Sequence, residues 1–232
     1  MSEHSESQAG TQQSASVERT LSGNADLDIG GVLREAWQKT TGIKLLVFGG
    51  AVVFFFGMVV LMAILGVLIN FDPLASFDRI LLQVLIAALL YPFAAGVMMT
   101  GVRHSVGLPV SLEGLVAYYG AVLTIAAVGV IQSIAISIGM LLFILPGLYL
   151  SIALVLAIPL HVEKRLNVID SLTTSLKLVN KKFLEVTILL IVVGLVVGLT
   201  SFTIIALFWT LPWMIMVGGI IYRQLAGIGL TE

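Results

Sequence analysis

The sequence predicts an all-α fold, a polytopic membrane bundle of about six transmembrane helices with amphipathic interface helices, and three observations predict it. Hydrophobic residues make up 59% of the 232 positions and charged residues only 11%, with a mean hydropathy of +1.09. A soluble domain carries roughly a quarter charged residues, so a water-soluble fold is excluded. The apolar runs are long and uninterrupted rather than alternating with period two, which selects helices over a closed barrel, the other way to satisfy backbone groups in lipid. Polar breaks divide these runs into pieces that suit a bilayer core of about 30 Å, or about 20 helical residues.

The elements follow in chain order. Residues 1–27, "MSEHSESQAGTQQSASVERTLSGNADL", are rich in Ser, Gln and Glu and cannot bury enough apolar surface to offset ordering, so a disordered cytoplasmic tail is expected. It has no basic region followed by an apolar core and cleavage site, so the first hydrophobic helix is expected to act as the insertion signal. Asp28 caps a helix over 28–41 that places Ile29, Val32, Leu33, Ala36 and Trp37 on one side, with Arg34 and Lys39 flanking it. That pattern suits the headgroup plane. The first span is expected at 43–69, and "NFDPLASFD" after it carries Asn, Pro and two Asp, which end a helix. The second span is expected at 80–101, kinked at Pro92, with Gln83 and Tyr91 turned toward neighbouring helices.

Residues 114–162 contain no Asp, Glu, Lys or Arg, and as one helix they would be about 74 Å long. The chain must double back there. "LPG" at Leu145, Pro146 and Gly147 is the expected break, because proline disfavours a helical residue before it and glycine tolerates the turn, giving spans at 115–143 and 147–162. Residues 186–222 are also uncharged and would make about 55 Å of helix. Spans at 184–200 and 203–222 are therefore expected, reversing in "GLTSF" at 198–202; a break at "LPW", 211–213, would leave too few residues to cross. One membrane domain covers 28–227, and 228–232 form a short cytoplasmic tail.

Orientation follows from the cations near span ends. Arg34, Lys39, Lys44, Arg103, Lys164, Arg165, Lys177, Lys181, Lys182 and Arg223 fall on one side of this threading, against Arg79 alone on the other. Both termini are thus expected in the cytoplasm of a bacterial inner membrane. Between spans four and five, residues 166–182 repeat Ile169, Leu172, Leu176 and Val179 at helical spacing with polar residues between them. The expected element is a surface-lying amphipathic helix whose apolar stripe sits among acyl chains or packs on the cytoplasmic ends of the spans. Lys164, Arg165, Lys177, Lys181 and Lys182 become candidate contacts for anionic phospholipid, each contributing about 1 kcal/mol close to a charged surface; the alternative is that they only fix orientation.

Residues 145–159, "LPGLYLSIALVLAIP", followed by "NVIDSLTTSLKLVNKKF" at 167–183, resemble the multi-pass membrane-anchor domain of bacterial glycerophosphodiester phosphodiesterases and related stand-alone inner-membrane proteins. "VLREAWQKTTG" before the first span and "IIYRQLAG" at 220–227 fit the same layout. The resemblance implies a helical inner-membrane domain with connections to envelope maintenance or lipid metabolism. The phosphodiesterase itself is a separate soluble barrel with metal-binding carboxylates and histidines, for which this chain has no room. No catalytic residue is carried over.

The motifs themselves point away from catalysis. There is no H-E-x-x-H, no G-x-S-x-G, no phosphate-cradling glycine loop with lysine, and no carboxylate cluster at metal-ligand spacing, so a non-enzymatic protein without cofactor or metal is expected. Net charge is −1 and the cysteine count is zero, which sets aside nucleic acid as a partner and thiol chemistry as a mechanism. No ionisable side chain lies at mid-span; Lys44, Arg103, His161, Glu185 and Arg223 fall at boundaries, which argues against a proton-coupled transporter. Thr124, Gln132, Ser133 and Ser137, with Gln83 and Tyr91, are candidate polar positions inside the bundle, either bonding across helices or lining a polar pocket. Pro92, Pro146, Gly147 and Pro159 are candidate helix breaks, acting as geometric devices or freeing carbonyls toward a cavity. "GLVVG" at 194–198 is a weak dimerisation match. The expected function is action through membrane lipids or protein partners, a second copy of the chain included; the alternative is a facilitator for a small or amphiphilic solute.

Overall fold

Asp28 caps the first helix as the sequence requires, its carboxylate accepting from the amides of Gly30 and Gly31 at 3.1 and 2.9 Å. These are two of the donors that a helix start leaves without internal partners. The computed structural model describes residues 17–18, 20–22, 27–68 and 76–228, and only the backbone of 65, 66, 68, 76–84 and 204. The capped helix is α1 (Ile29–Thr40). It leads into α2 (Lys44–Leu68), α3 (Ser76–Ser105), α4 (Leu112–Val116), a 3₁₀ turn (Tyr119–Ala121), α5 (Val122–Leu142), α6 (Ile144–Ala153), α7 (Ala157–Glu163), α8 (Val168–Lys181), α9 (Phe183–Thr200) and α10 (Ile204–Ala226). No strand occurs among the described residues.

Among the described residues six stretches are long and apolar enough to cross a membrane: Lys44–Ile64, Leu85–Ser105, Leu112–Leu142, Ile144–Glu163, Phe183–Thr200 and Ile205–Ala226. By length and composition this is a multi-pass membrane protein. The reversal between the last two falls at Ser201–Thr203, and Pro212 lies within α10. Most of "NFDPLASFD" lies outside the described residues.

Two features depart from expectation in the third and fourth spans. The reversal is at Phe143, extended at φ −159° and ψ 146°, and not at Leu145–Gly147. Pro146 becomes the third residue of α6, where a missing amide hydrogen costs no helical bond. Gly147 serves close packing instead, since a side chain there would meet Met140 and one at Gly139 would meet the Gly147 backbone. The fourth span then breaks in its own middle, at Leu154–Leu156 between α6 and α7.

That second break explains the helix that follows. In an apolar surrounding each backbone group needs a partner. Ser175 of α8 supplies one for each side of the gap: its hydroxyl donates to the Ala153 carbonyl at 2.8 Å and accepts from the Leu156 amide at 3.2 Å. α8 runs back along the fourth span, with His161 beside the Leu166 carbonyl at one end and Tyr149 donating to Asn180 at the other, 2.9 Å away. Ser171, Leu172, Ser175, Leu178 and Val179 are buried beneath it. α8 thus packs its apolar stripe on the spans rather than among acyl chains, and it covers the broken one.

The central contact pairs α3 with α10, which run in the same direction. At their crossing a Cβ on Gly219 would overlap the Gly101 backbone, and one on Gly101 would overlap Ile215. Lipid removes the hydrophobic drive for helices to associate, so this close backbone approach holds the pair through van der Waals contact. Met216, Val217, Ile220, Ile221 and Leu225 fill the surrounding core. α1 packs across α10 through Val32, Ala36 and Thr40; Trp37, expected on the same face, is 59% exposed. Residues 17, 18, 20 and 21 are helical, and Thr20 is buried and donates to the Leu225 carbonyl at 2.7 Å. This described part of the expected tail is packed on the bundle, and the remainder of 1–26 lies outside the described residues.

Candidate functional site: linked cavities beside a charged cluster

The ends of α1, α3, α7 and α10 converge, and their charges are organised rather than scattered. Arg223 forms a two-pronged pair with Glu35, Nη1 to Oε1 at 2.8 Å and Nη2 to Oε2 at 2.7 Å. Lys39 approaches the same carboxylate at 2.9 Å. Both cations also donate to the Ser105 carbonyl, one of the acceptors a helix C-terminus leaves unpaired. Hydrogen bonding from Arg223, aided by Lys39 and opposed by burial, holds the Glu35 carboxyl down at about 2.

Beside this pair lies a second, more deeply buried group. The Glu163 side chain is fully buried and accepts from the Tyr222 hydroxyl at 2.7 Å. Lys164 lies 3.6 Å from the same oxygen with only 10% of its side chain exposed, and its ammonium has no hydrogen-bond partner among the described residues. Burial lowers its proton affinity, and Glu163 partly restores it.

Three cavities lie in the bundle, and the first reaches this cluster through Tyr222. The first, of about 600 Å³, lies among α3, the α6–α7 break, α9 and α10; its walls include Phe93, Val155, Pro159, Gly194 and Gly218, and among the described residues every one that lines it is apolar except Tyr222. The second, of about 540 Å³, lies between α2, α3 and the start of the third span, with Gly57, Phe54 and Phe93 in its wall. Phe93 therefore separates the two apolar spaces, stacked on Phe54 at 4.1 Å between ring centroids. The third cavity, of about 280 Å³, is polar and lined by Thr100, Arg103, Ser111, Glu113 and Tyr118. Glu113 belongs to the walls of both the second and third.

The five candidate lipid cations do not share one surface. Lys164 is turned inward, because it closes α7 next to buried Glu163. Lys182 is mostly buried and pairs with Glu185 at 3.4 Å. Arg165, Lys177 and Lys181 are exposed, and Arg165 takes a left-handed conformation at φ 50° in the turn before α8. The candidate polar positions also part company. Tyr91 bonds Ser133 across spans two and three at 2.9 Å, Thr124 donates to Ala121 in its own turn, and Ser137 is exposed. Gln132 has a buried carbonyl oxygen without a partner among the described residues, and the Gln83 side chain lies outside them. Of the candidate breaks, Pro159 lines the first cavity, whereas Pro92 is buried within α3, and Tyr119 donates to the Leu89 carbonyl one turn before it at 2.8 Å.

Sequence reasoning did not bring Phe93, Glu113, Glu163 and Tyr222 together. Glu163 and Tyr222 stood at the edges of two runs 59 residues apart, and only the convergence of α7 and α10 pairs them. Glu35 was the readable member, four residues before Lys39 on one helix. No family model matches the chain, and neither a curated protein nor a solved structure matches it.

Proposed function

We propose that this is a non-enzymatic integral membrane protein that holds a membrane amphiphile, with its apolar portion in the cavities that meet at Phe93, and that it acts in lipid or envelope homeostasis. One observation carries the reading: two apolar spaces of about 600 and 540 Å³ share Phe93 in their walls, and each meets a polar group, the larger at Tyr222 bonded to buried Glu163 and the smaller at Glu113. A polar solute would find little in the larger cavity to replace its hydration, since Tyr222 is the one polar residue among the described ones that line it. An acyl chain would lose nothing there. The resemblance of residues 145–183 to the membrane-anchor domain of bacterial glycerophosphodiester phosphodiesterases supports the same setting, a bacterial inner membrane with both termini in the cytoplasm.

The test is lipid retention through purification, read by native mass spectrometry. Gly194 and Gly218 line the first cavity and have open space where a Cβ would stand, so Gly218→Leu fills it without a backbone clash. The parent is expected to keep lipid under delipidating conditions and Gly218→Leu to keep less of it. Equal retention by both would remove the reading. The alternative, a facilitator for a small amphiphilic solute, draws on the broken fourth span, whose Val155 and Pro159 face the same cavity. Saturable, substrate-specific flux in liposomes would favour it.

A further inference from the structure

Resting on the amphiphile reading, we infer that the second and third cavities together form a site for a glycerophospholipid whose headgroup carries both a phosphate and an amine. Arg103 provides the phosphate end. Its Nε donates to the Pro109 carbonyl at 3.3 Å, and its two terminal nitrogens have neither a hydrogen bond nor an ion pair among the described residues. Arg223 nearby is fully engaged with Glu35 and Ser105. A planar guanidinium with two open nitrogens matches two phosphate oxygens.

Two further donors line the same cavity. The Ser111 hydroxyl accepts from the Gly114 amide at 3.3 Å, which leaves its own proton to give. The Tyr118 hydroxyl has no hydrogen bond among the described residues. Thr100 is already donating to the Gly96 carbonyl.

Glu113 decides the class of headgroup. It lines the polar cavity without an ion pair among the described residues, so a purely anionic headgroup would meet its charge, whereas an ammonium next to the phosphate would neutralise it. It also lines the apolar groove bounded by Gly57, Phe54 and Phe93. Head and tail of one molecule can thus lie on either side of a single residue. Glu163, the nearby buried carboxylate, is engaged with Tyr222 and Lys164.

The experiment measures binding to the full chain in detergent, by native mass spectrometry, of phosphatidylethanolamine, phosphatidylglycerol and diacylglycerol with identical chains, and of glycerophosphoethanolamine and inorganic phosphate without chains. Phosphatidylethanolamine is expected to bind about fivefold tighter than phosphatidylglycerol, the scale of one partly exposed charge pair. Glu113→Gln should erase that preference and Glu113→Lys should reverse it, a gain that misfolding cannot produce. Arg103→Gln should bring both phospholipids to the level of diacylglycerol, and Gly57→Leu should weaken all three. Equal binding of the two phospholipids by the parent, or a preference that survives Glu113→Gln, overturns the headgroup assignment even where diacylglycerol binds and the tail reading stands. Failure of all three lipids to bind overturns both, and binding of free phosphate in their place makes this an ion site and overturns the lipid assignment.

Discussion

Replacing Glu35 with glutamine removes the carboxylate that ties α1 to the end of α10, and the structure sets the size of the effect. Arg223 and Lys39 lower that carboxyl from 4.5 to about 2, which at about 1.4 kcal/mol per tenfold corresponds to about 3 kcal/mol. Between 25% and 33% of the three side chains faces solvent, and screening there takes half or more, leaving about 1–1.5 kcal/mol. Because the folded carboxyl titrates below the unfolded one, this contribution is complete above about pH 5 and is lost as pH falls through 4.5 toward 2. The assay is reversible unfolding in detergent followed by tryptophan fluorescence. Trp213 reports on the same contact, with its indole nitrogen facing the Leu33 carbonyl at 3.5 Å. The parent should lose stability on acidification across this window by more than Glu35→Gln does. Identical denaturation midpoints at neutral pH, or parallel acid profiles, would refute the reasoning.

Ser175→Ala leaves the Ala153 carbonyl and the Leu156 amide without their bridge, and a loss of about 1–3 kcal/mol is expected; Thr173→Ala, which cuts a 3.2 Å bond to Asp170 within its own helix, should change stability by less than about 0.5 kcal/mol in the same titration. Gly219→Ala forces a methyl group into the Gly101 backbone and should cost about 1–3 kcal/mol, whereas Gly218→Ala, with open space at that position, should be close to neutral. In the cysteine-free chain, single cysteines at Trp37 and Lys177, both exposed, are expected to react with an impermeant maleimide from the same side of sealed vesicles. Labelling from opposite sides would break the proposed threading.

Span boundaries were readable because they follow from two lengths, the bilayer thickness and the helical rise. The reversal at Ser201–Thr203 is an example: the uncharged run was too long for one crossing, and it breaks where small hydroxyl residues cluster. The reversal at Phe143 was not readable, because Pro146 suits a helix start as well as a helix stop and only the partner helix decides between them. The break at Leu154–Leu156 carries no turn residues at all. Its trace in the sequence is indirect: Ser171 and Ser175 stand four apart on the apolar face of α8, an arrangement that acquires meaning only once something across from them needs a hydroxyl. The cavities were the least legible, since Phe93, Gly57 and Gly218 belong to different helices and their common walls are a product of packing. The G-x-x-x-G match at 194–198 shows the same limit. Gly194 lines a cavity and Gly198 has open space beside it, while the close glycine contact is between Gly101 and Gly219.

The hydroxyl bridge from Ser175 also bears on the order of biogenesis. A ribosome delivers residues 144–163 to the bilayer before it has made residue 175, so the fourth segment enters lipid with an amide and a carbonyl still unpartnered, at a cost of several kcal/mol. The broken form of this segment therefore becomes favourable only once the next helix has emerged and folded back to supply the Ser175 hydroxyl. A released chain ending after Arg165 is expected to leave its fourth segment more open to protease than one ending after Lys182, which carries Ser175.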